Sequence, residues 1–409
     1  MSGAMLVLVC SDEHLYFDSA GACVLGKLPF PVIVLANRAA AARLVGAAPN
    51  VEVRQARWGA LDNIRSAVHD LAREQPLFAI GTCNEALMDL AAELRASLGL
   101  YGMLPPLAER FRNKLLMKEL AAAAGVRVPQ HAPCDQPERV EALLVRHGRL
   151  VLKPIDGYGA RSVSFIASAA ELHAWYRTQA TPAGFEAEEF IDGTLHHVNA
   201  LVCAGQVLLT ASALYVPGMA NIDFGSGTPF ASVMLDEGAL KDRLEDFSNR
   251  VIAALGLEDG VTHLECFVSP AGEVVLCEIA ARPGGGGIVH MIEAQYGINY
   301  VQASLLLQAG RREQIRIEPP RQPRRFGLLG FRAGANCTIR RIAGHGHFED
   351  EPIHLAQFYA APGDFVAAAR HCTDFLGLLV FANDSEADYA LRSARLHQRF
   401  DAMLEFQPA

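Results

Sequence analysis

The chain has 409 residues, enough for two to four lobes, and 51% of them are hydrophobic. The net charge is −9, and no apolar run approaches the roughly 20 residues of a membrane span. These values argue against a membrane partner and against nucleic acid as the main partner. The apolar start "AMLVLV" predicts a buried strand rather than a signal peptide. The nine scattered cysteines favour a reducing compartment, so we expect a cytoplasmic protein.

The first hundred residues alternate short apolar runs with segments of helical periodicity. The runs "AMLVLVC", "FPVIVLA" and "LFAIGT" are typical of buried parallel strands. The pattern predicts a doubly wound, Rossmann-like α/β lobe over residues 1–104, with its ligand edge at the carboxyl ends of the strands. Glu85 lies at that edge, where it could meet a substrate amine or simply favour a helix N-terminus.

The rest of the chain predicts three further units. Residues 105–192 predict one helix that ends at Gly125, a glycine loop between two strands, another helix and the strand end "FEAEEFIDG". Residues 193–316 predict a strand meander, a long helix and a hairpin that turns at "SPAG". Residues 317–409 mix strand and helix signals and predict a small C-terminal α/β lobe.

The hairpin places two glutamates, Glu265 and Glu278, in apolar strands. A turn near Ala271 brings them opposite each other, where like charges destabilise a sheet and unpaired burial is worse. A hard divalent cation bound through oxygen would resolve this conflict, and Mg²⁺ usually arrives with substrate phosphates. The alternative leaves Glu265 as a sheet-edge carboxylate paired with an arginine, and Glu278 unrelated.

Two lysines and a glycine loop precede the hairpin. Lys153 follows an apolar strand, a position that generally needs an anion, and Lys114 lies on the predicted helix. The loop "DGYGARS" would let backbone N–H groups approach phosphate oxygens, unless it is a mere β-turn. The strand end from Glu188 to Ile191 offers backbone groups that can read an adenine edge; an acidic strand end is the alternative.

Over residues 1–316, the chain resembles the ATP-grasp superfamily. The resemblance rests on four motifs in this order: the two lysines, the glycine loop, the hinge "EEFIDG" and the segment "HLE…CEIAARPGG". The two glutamates, followed by "Ala-Ala-Arg", are most similar to the carboxylate–amine ligases that include dipeptide-forming L-amino acid ligases. The resemblance implies an α/β fold with α+β ATP-grasp lobes built on antiparallel sheets. It also implies ATP with Mg²⁺ or Mn²⁺, and ATP-dependent ligation of a small carboxylate to an amine through an acyl phosphate.

The resemblance further implies a role for each residue at a matching position. Lys153 and Arg282 would act in catalysis, with Arg282 against the carboxylate or the acyl phosphate. The implied metal ligands are Glu265 and Glu278. The implied ATP-binding residues are Lys114, Lys153, Gly157, Tyr158, Gly159, Ala160, Arg161, Ser162, Glu188, Glu189, Phe190, Ile191, His197 and Asn199, the last two near the ribose. At the substrate site the resemblance implies Arg282, Gly284, Gly285 and Gly286. By their positions alone, Glu85 and His290 are further substrate candidates, although His290 also fits a helix-start histidine with a local partner.

Three features depart from the superfamily pattern. Ala280 stands where many ATP-grasp enzymes have asparagine, "TLHH" replaces a hinge glutamate, and "GSGTPFASVML" has no histidine, so no general base is assigned. Tyr215 and Phe230 are interpreted as packing residues. The alternatives are a purine-biosynthesis or carboxylase-type ATP-grasp enzyme, or a non-catalytic nucleotide-binding regulatory protein. A homodimer is a further expectation from the superfamily, and the sequence does not identify the two substrates.

Overall fold

The computed structural model of the protein describes residues 3–216, 227–317, 325–371 and 373–408. In these ranges, no helix combines the length and the apolar character that crossing a lipid bilayer requires. Residues 217–226, which include the first two residues of "GSGTPFASVML", and residues 318–324 lie outside the described residues.

The first lobe is a parallel sheet with helices on both faces, as predicted. Its elements are β1 (Ala4–Val9), β2 (Val32–Ala36), α1 (Arg38–Leu44), β3 (Val51–Gln55), α2 (Leu61–Glu74), β4 (Leu77–Thr82) and α3 (Met88–Leu98). The strand order is β3–β2–β1–β4. Alternate residues of β1 enter two different cores, Val7 with α1 and Leu6 with α2 and α3. Strand β3 was not predicted, because its partly exposed sequence "VEVRQ" lacks a continuous apolar run.

The second unit carries a small antiparallel sheet of order β5–β8–β6–β7. Its elements are α4 (Pro105–Arg110), α5 (Lys114–Ala123), β5 (His131–Pro133), α6 (Pro137–His147), β6 (Leu150–Pro154), β7 (Ser164–Ile166), α7 (Ala169–Thr178) and β8 (Phe185–Glu189). The prediction of one helix ending at Gly125 is wrong. Asn113 caps a second helix by accepting the N–H groups of Leu115 and Leu116, so Lys114 is the first residue of α5.

An eight-stranded sheet carries the acidic hairpin. Its first elements are β9 (Thr194–Cys203), β10 (Gln206–Tyr215), β11 (Phe230–Met234), α8 (Ala239–Leu255), β12 (Gly260–Val268), β13 (Val274–Ala280), α9 (Ile288–Tyr296) and α10 (Tyr300–Gln308). Helix α8 packs on one face, against Val198 and Leu264. Helices α9 and α10 pack on the other, against Leu201 and Val261. The odd-numbered side chains of β9 and β12 therefore point toward the same face as α9.

The last ninety residues continue this sheet. Their elements are β14 (Arg325–Phe331), β15 (Cys337–Arg341), β16 (Ile353–Phe358), β17 (Phe365–Val366), β18 (Gly377–Asn383), α11 (Glu386–Met403) and β19 (Glu405–Pro408). The sheet order is β13–β12–β9–β10–β11–β14–β18–β16, and β17–β15–β19 form a separate small sheet. The hairpin and the C-terminal strands thus share one sheet, while the domain division at residues 104, 192 and 316 stays a prediction.

Candidate active site

Glu265 and Glu278 lie directly opposite each other in the hairpin of β12 and β13, the register that the sequence predicted. The hydroxyl of Tyr215 donates to Glu265 Oε1 at 2.9 Å, and Lys114 Nζ lies 3.2 Å from Glu278 Oε2. Burial disfavours the charged form of Glu278, but Lys114 and Lys153 outweigh it and lower the pKa of this carboxyl to about 2. Lys114 thus supplies part of the positive charge that the two carboxylates require.

A buried polar network lies beside the hairpin. His197 on β9 lies opposite Glu265 of β12 in the sheet register and is fully buried. Its Nε2 lies 2.8 Å from Ser232 Oγ. The Asn199 side chain contacts Nδ1 of His197 and Nδ1 of His263, each at 2.9 Å. Burial, reinforced by His263, lowers the pKa of His197 well below its ordinary value. The two residues predicted near the ribose are therefore bound within the sheet, and their ribose contact stays a prediction.

Lys153 belongs to a buried cluster of two lysines and two glutamates. Its Nζ lies 2.7 Å from Glu188 Oε1, while Lys118 Nζ lies 2.6 Å from Glu188 Oε2 and 2.5 Å from Glu186 Oε1. Burial opposes the ammonium form, but Glu188 and the other nearby anionic groups raise the pKa of Lys153 well above its ordinary value. Lys118 was not predicted. Its spacing of four residues from Lys114, on one helix face, was the available signal.

The glycine loop lies between β6 and β7, and three of its residues have left-handed φ angles: Gly159 at 64°, Ala160 at 56° and Ser162 at 57°. Lys114 Nζ donates to the carbonyl oxygen of Gly157 at 2.6 Å, which ties the loop to α5. The Tyr158 ring lies 5.1 Å from the Arg161 guanidinium. Left-handed residues of this kind can turn successive backbone N–H groups toward an anion.

Arg282 follows β13 and contacts the first lobe. Its Nε and Nη2 donate to Glu85 Oε2 at 2.9 and 2.5 Å, and Arg112 Nη1 donates to Glu85 Oε1 at 2.8 Å. Burial opposes the charge of Arg282, but Glu85 outweighs it and raises the pKa of the guanidinium above its usual range. Two guanidinium groups hold the Glu85 carboxylate, so a substrate amine would have to displace one of them. The predicted amine contact of Glu85 stays a prediction.

Among the glycines after Arg282, Gly284 lies against the buried polar network of Asn199 and His263. A Cβ on Gly284 would lie 2.9 Å from Asn199 Oδ1, too close for any other residue without displacement. His290 is fully buried near the start of α9, with Nδ1 3.9 Å from Glu293 Oε2. Neither of its ring nitrogens has a hydrogen-bond partner among the described residues. Its predicted substrate contact, like those of Gly285 and Gly286, stays a prediction.

The predicted adenine hinge follows strand β8. The N–H of Glu189 donates to Gln130 O at 2.9 Å, and the N–H of Phe190 donates to Arg149 O at 3.2 Å. The Arg149 guanidinium lies 3.8 Å from the centre of the Phe190 ring. The N–H groups of Glu189 and Phe190 are thus used inside the protein, and the adenine contact of this strand end stays a prediction.

The donor set fits a divalent cation that brings further ligands with it. No group of three or more His, Cys, Asp or Glu side chains able to hold a metal occurs in the described part of the chain. Glu265 and Glu278 offer hard carboxylate oxygens, which Mg²⁺ prefers, but they are too few to complete its coordination. Phosphate and water oxygens would have to supply the remainder.

Comparison with known proteins places these residues in a wider setting. No protein-family model matches the chain. An L-arginine-specific L-amino acid ligase from Bacillus subtilis is 26% identical over 268 residues, which cover 63% of this chain and 63% of that protein, less than two thirds of its length.

Several solved structures match nearly the whole chain, and two of them illustrate the likeness. An L-amino acid ligase from Bacillus licheniformis gives a TM-score of 0.77 at 20% identity, covering 99% of this chain and 98% of that one. The biotin carboxylase domain of a Hydrogenobacter thermophilus 2-oxoglutarate carboxylase, solved with MgADP, ADP and bicarbonate, gives 0.73 at 16% identity. That match covers 98% of this chain and 90% of the other. At such identities, these likenesses establish the fold alone.

Proposed function

We propose, from the premise that this chain has the ATP-grasp fold of its relatives and structural neighbours, that it is an ATP-dependent ligase. It would join a small carboxylate, an amino acid or a similar acid, to an amine through an acyl phosphate. One observation carries the proposal. The opposed carboxylates Glu265 and Glu278 lie on the same hairpin that Lys114 contacts and Arg282 follows.

The first half-reaction moves the γ-phosphoryl group of ATP to the carboxylate, and it needs mainly positioning and charge neutralisation. Lys114, Lys153 and the loop amides bind the phosphates. Glu265 and Glu278 would hold Mg²⁺, and the ion would supply positive charge that neutralises the phosphates.

Lys153 must leave Glu188 to reach a phosphate. The second contact of Glu188, with Lys118 at 2.6 Å, keeps that buried carboxylate paired when Lys153 turns away. The cluster thus allows one lysine to move without leaving an uncompensated buried charge.

Arg282 binds the carboxylate or the acyl phosphate in this proposal. A guanidinium presents two parallel donors to such a group, which an ammonium cannot do. Glu85 of the first lobe, itself held by Arg112, sets the position of Arg282. In the second half-reaction, the amine attacks the acyl carbon and phosphate leaves with the electron pair of the broken C–O bond.

A carboxylase-type or purine-biosynthesis enzyme is the second candidate. The observation in its favour is the likeness to the biotin carboxylase domain solved with bicarbonate. A carboxylase and a carboxylate–amine ligase of this fold would share the ATP site and differ only in their co-substrates. A regulatory nucleotide-binding protein, the third candidate, would need no co-substrate. The expected homodimer stays a prediction for all three.

A substrate-pair screen tests the proposal. The protein is incubated with MgATP and pairs of amino acids, with bicarbonate as a separate arm, while phosphate release and new amide masses are recorded. Phosphate release that needs both a carboxylate and an amine, with an equimolar amide product, supports the ligase. Release that depends on bicarbonate supports the carboxylase, and ATP binding without any release supports the regulatory protein.

A further inference from the structure

A turn in the C-terminal region reaches the proposed active site. The carboxylate of Asp374 accepts the backbone N–H groups of Arg370 and His371, each at 2.8 Å, and so holds the turn in shape. This turn includes Thr373, and it belongs to the last ninety residues, for which the sequence predicted a small α/β lobe but no individual site residue.

The turn touches two glycine segments at once. A Cβ built on Gly159, in the glycine loop, would lie 2.0 Å from Nε2 of His371. A Cβ built on Gly286, in the glycine run after Arg282, would lie 3.6 Å from Cγ2 of Thr373. The imidazole Nε2 therefore faces the loop that, in the proposed function, covers the ATP phosphates.

The contacts of Nδ1 select one ring tautomer. The backbone N–H of Thr373 donates to Nδ1 of His371 at 3.3 Å, and the Thr373 hydroxyl lies 2.8 Å from the same atom. An Nδ1 that accepts a backbone N–H carries no proton of its own. In the neutral ring, the proton then resides on Nε2, on the side of the glycine loop.

Burial, together with nearby positive charge, favours the neutral ring. Burial, and after it Arg161 on the glycine loop, lowers the pKa of His371. Arg282 acts in the same direction, while Asp374 in its own turn and Asp12 after β1 act in the opposite one. Near neutral pH, the group that faces the loop is thus an uncharged N–H donor rather than a proton acceptor.

We propose that Nε2–H of His371 donates a hydrogen bond to an oxygen of the phosphoryl group that passes from ATP to the carboxylate. The inference rests on the proposed function and adds a catalytic residue to it. As the carboxylate oxygen bonds to phosphorus, the bond from phosphorus to ADP breaks and ADP leaves with its electron pair. His371 keeps its proton throughout and stabilises the charge on the equatorial oxygens.

The test compares His371→Ala, His371→Gln and the wild-type chain. The alanine variant lacks a donor, and we expect its ATP-dependent turnover to fall by about a hundredfold. Glutamine restores an N–H donor and should recover most of that loss. His371→Ala with unchanged turnover overturns the proposal. A glutamine variant as slow as the alanine variant would also overturn it, because the N–H donor would then not matter. So would an acid limb in the wild-type pH–rate profile that vanishes in the glutamine variant, because His371 would then act as a base.

Nucleotide binding gives a second measurement that does not need turnover. By calorimetry with Mg²⁺, His371→Ala should weaken binding of a non-hydrolysable ATP analogue while leaving ADP binding unchanged, because only the analogue has the third phosphoryl group. Equal effects on both nucleotides overturn the proposal. His345→Ala, at an exposed histidine of the same region, is the matched control and should behave as wild type in both assays.

The two proposals fail in different ways. If no substrate pair supports turnover in the wild-type chain, the ligase function fails, and the calorimetric comparison still tests the phosphate contact of His371. If wild-type turnover is found and the alanine variant matches it, only the role of His371 fails.

Discussion

Lys118 Nζ lies 2.5 Å from Glu186 Oε1, and neither side chain is accessible to solvent. The two residues come from different elements, α5 and β8, so this ion pair joins a helix to the small antiparallel sheet. Removing one partner of such a pair leaves a charge that burial makes expensive.

Lys118→Met should therefore destabilise the protein by about 3–5 kcal/mol, measured by urea unfolding at neutral pH. The double variant Lys118→Met, Glu186→Met should recover most of this loss, because the second charge is also gone. Arg73→Met breaks an exposed pair with Asp70 and should change little. A double variant as unstable as the single one would contradict the explanation.

Glu278→Ala should abolish co-substrate-dependent ADP release, with a fall of at least about a hundredfold, because it removes one of two proposed metal ligands. ADP release is followed with a coupled assay at saturating MgATP. Glu273→Ala removes an exposed carboxylate from the same hairpin and serves as the control. Near-normal turnover of the Glu278 variant would refute the metal assignment.

Tyr215→Phe should weaken the apparent affinity for Mg²⁺ by about 10–100-fold, because it removes the hydroxyl that orients Glu265. The Mg²⁺ dependence of ADP release measures this effect. Tyr176→Phe, whose hydroxyl donates to the carbonyl of Cys134 directly after β5, is the control. An unchanged Mg²⁺ dependence of Tyr215→Phe would mean that the hydroxyl plays no part in metal binding.

Gly159→Ala should reduce turnover more than Gly205→Ala does. Both positions have left-handed φ angles, 64° and 73°, so both variants carry similar backbone strain. Only the alanine at 159 would also meet a neighbour, the His371 ring, whereas the position at 205 is open. Turnover and thermal unfolding of the two variants separate the contact from the strain, and equal turnover losses would exclude a role for the contact.

Asp259 gives a pH-dependent prediction. Burial would raise the pKa of its carboxyl, but Arg312, which donates from Nε at 2.7 and 2.9 Å, outweighs burial and lowers it. A depressed pKa stabilises the fold above the unfolded value of about 3.9, and this contribution disappears as pH falls through the folded value. Asp259→Asn should thus lose stability at pH 7 and little at strongly acid pH. The free energies of unfolding of the variant and the wild type are compared by urea unfolding at both pH values. A difference that stays constant between acid and neutral pH would contradict this explanation.

The sequence predicted the features that depend on local pattern. Period-two alternation and a turn near Ala271 predicted Glu265 roughly opposite Glu278, and a β-bulge next to Glu265, which the pattern did not predict, completes this register. Continuous apolar runs were enough for β1, β2 and β4 of the parallel sheet. Each of these signals is contained in a single stretch of chain.

Features that depend on distant partners were not predicted. Lys118 reads as a surface lysine until Glu186, 68 residues later, is placed beside it. Tyr215 was interpreted as packing, and only the sheet order brings its hydroxyl to Glu265. His371 lies beside the glycine loop because the C-terminal strands β14, β18 and β16 join the large sheet.

The pairing of β11 with β14 also affects the order of folding. Strand β11 is completely buried, and its outer edge is covered by β14, which is itself bonded to β18. The ribosome must therefore release residues up to 383 before the sheet beneath the acidic hairpin has all its neighbours. Until then, the nascent chain exposes the edge of the apolar strand β11. A chain released before that point is therefore prone to pair this edge with strands of other chains.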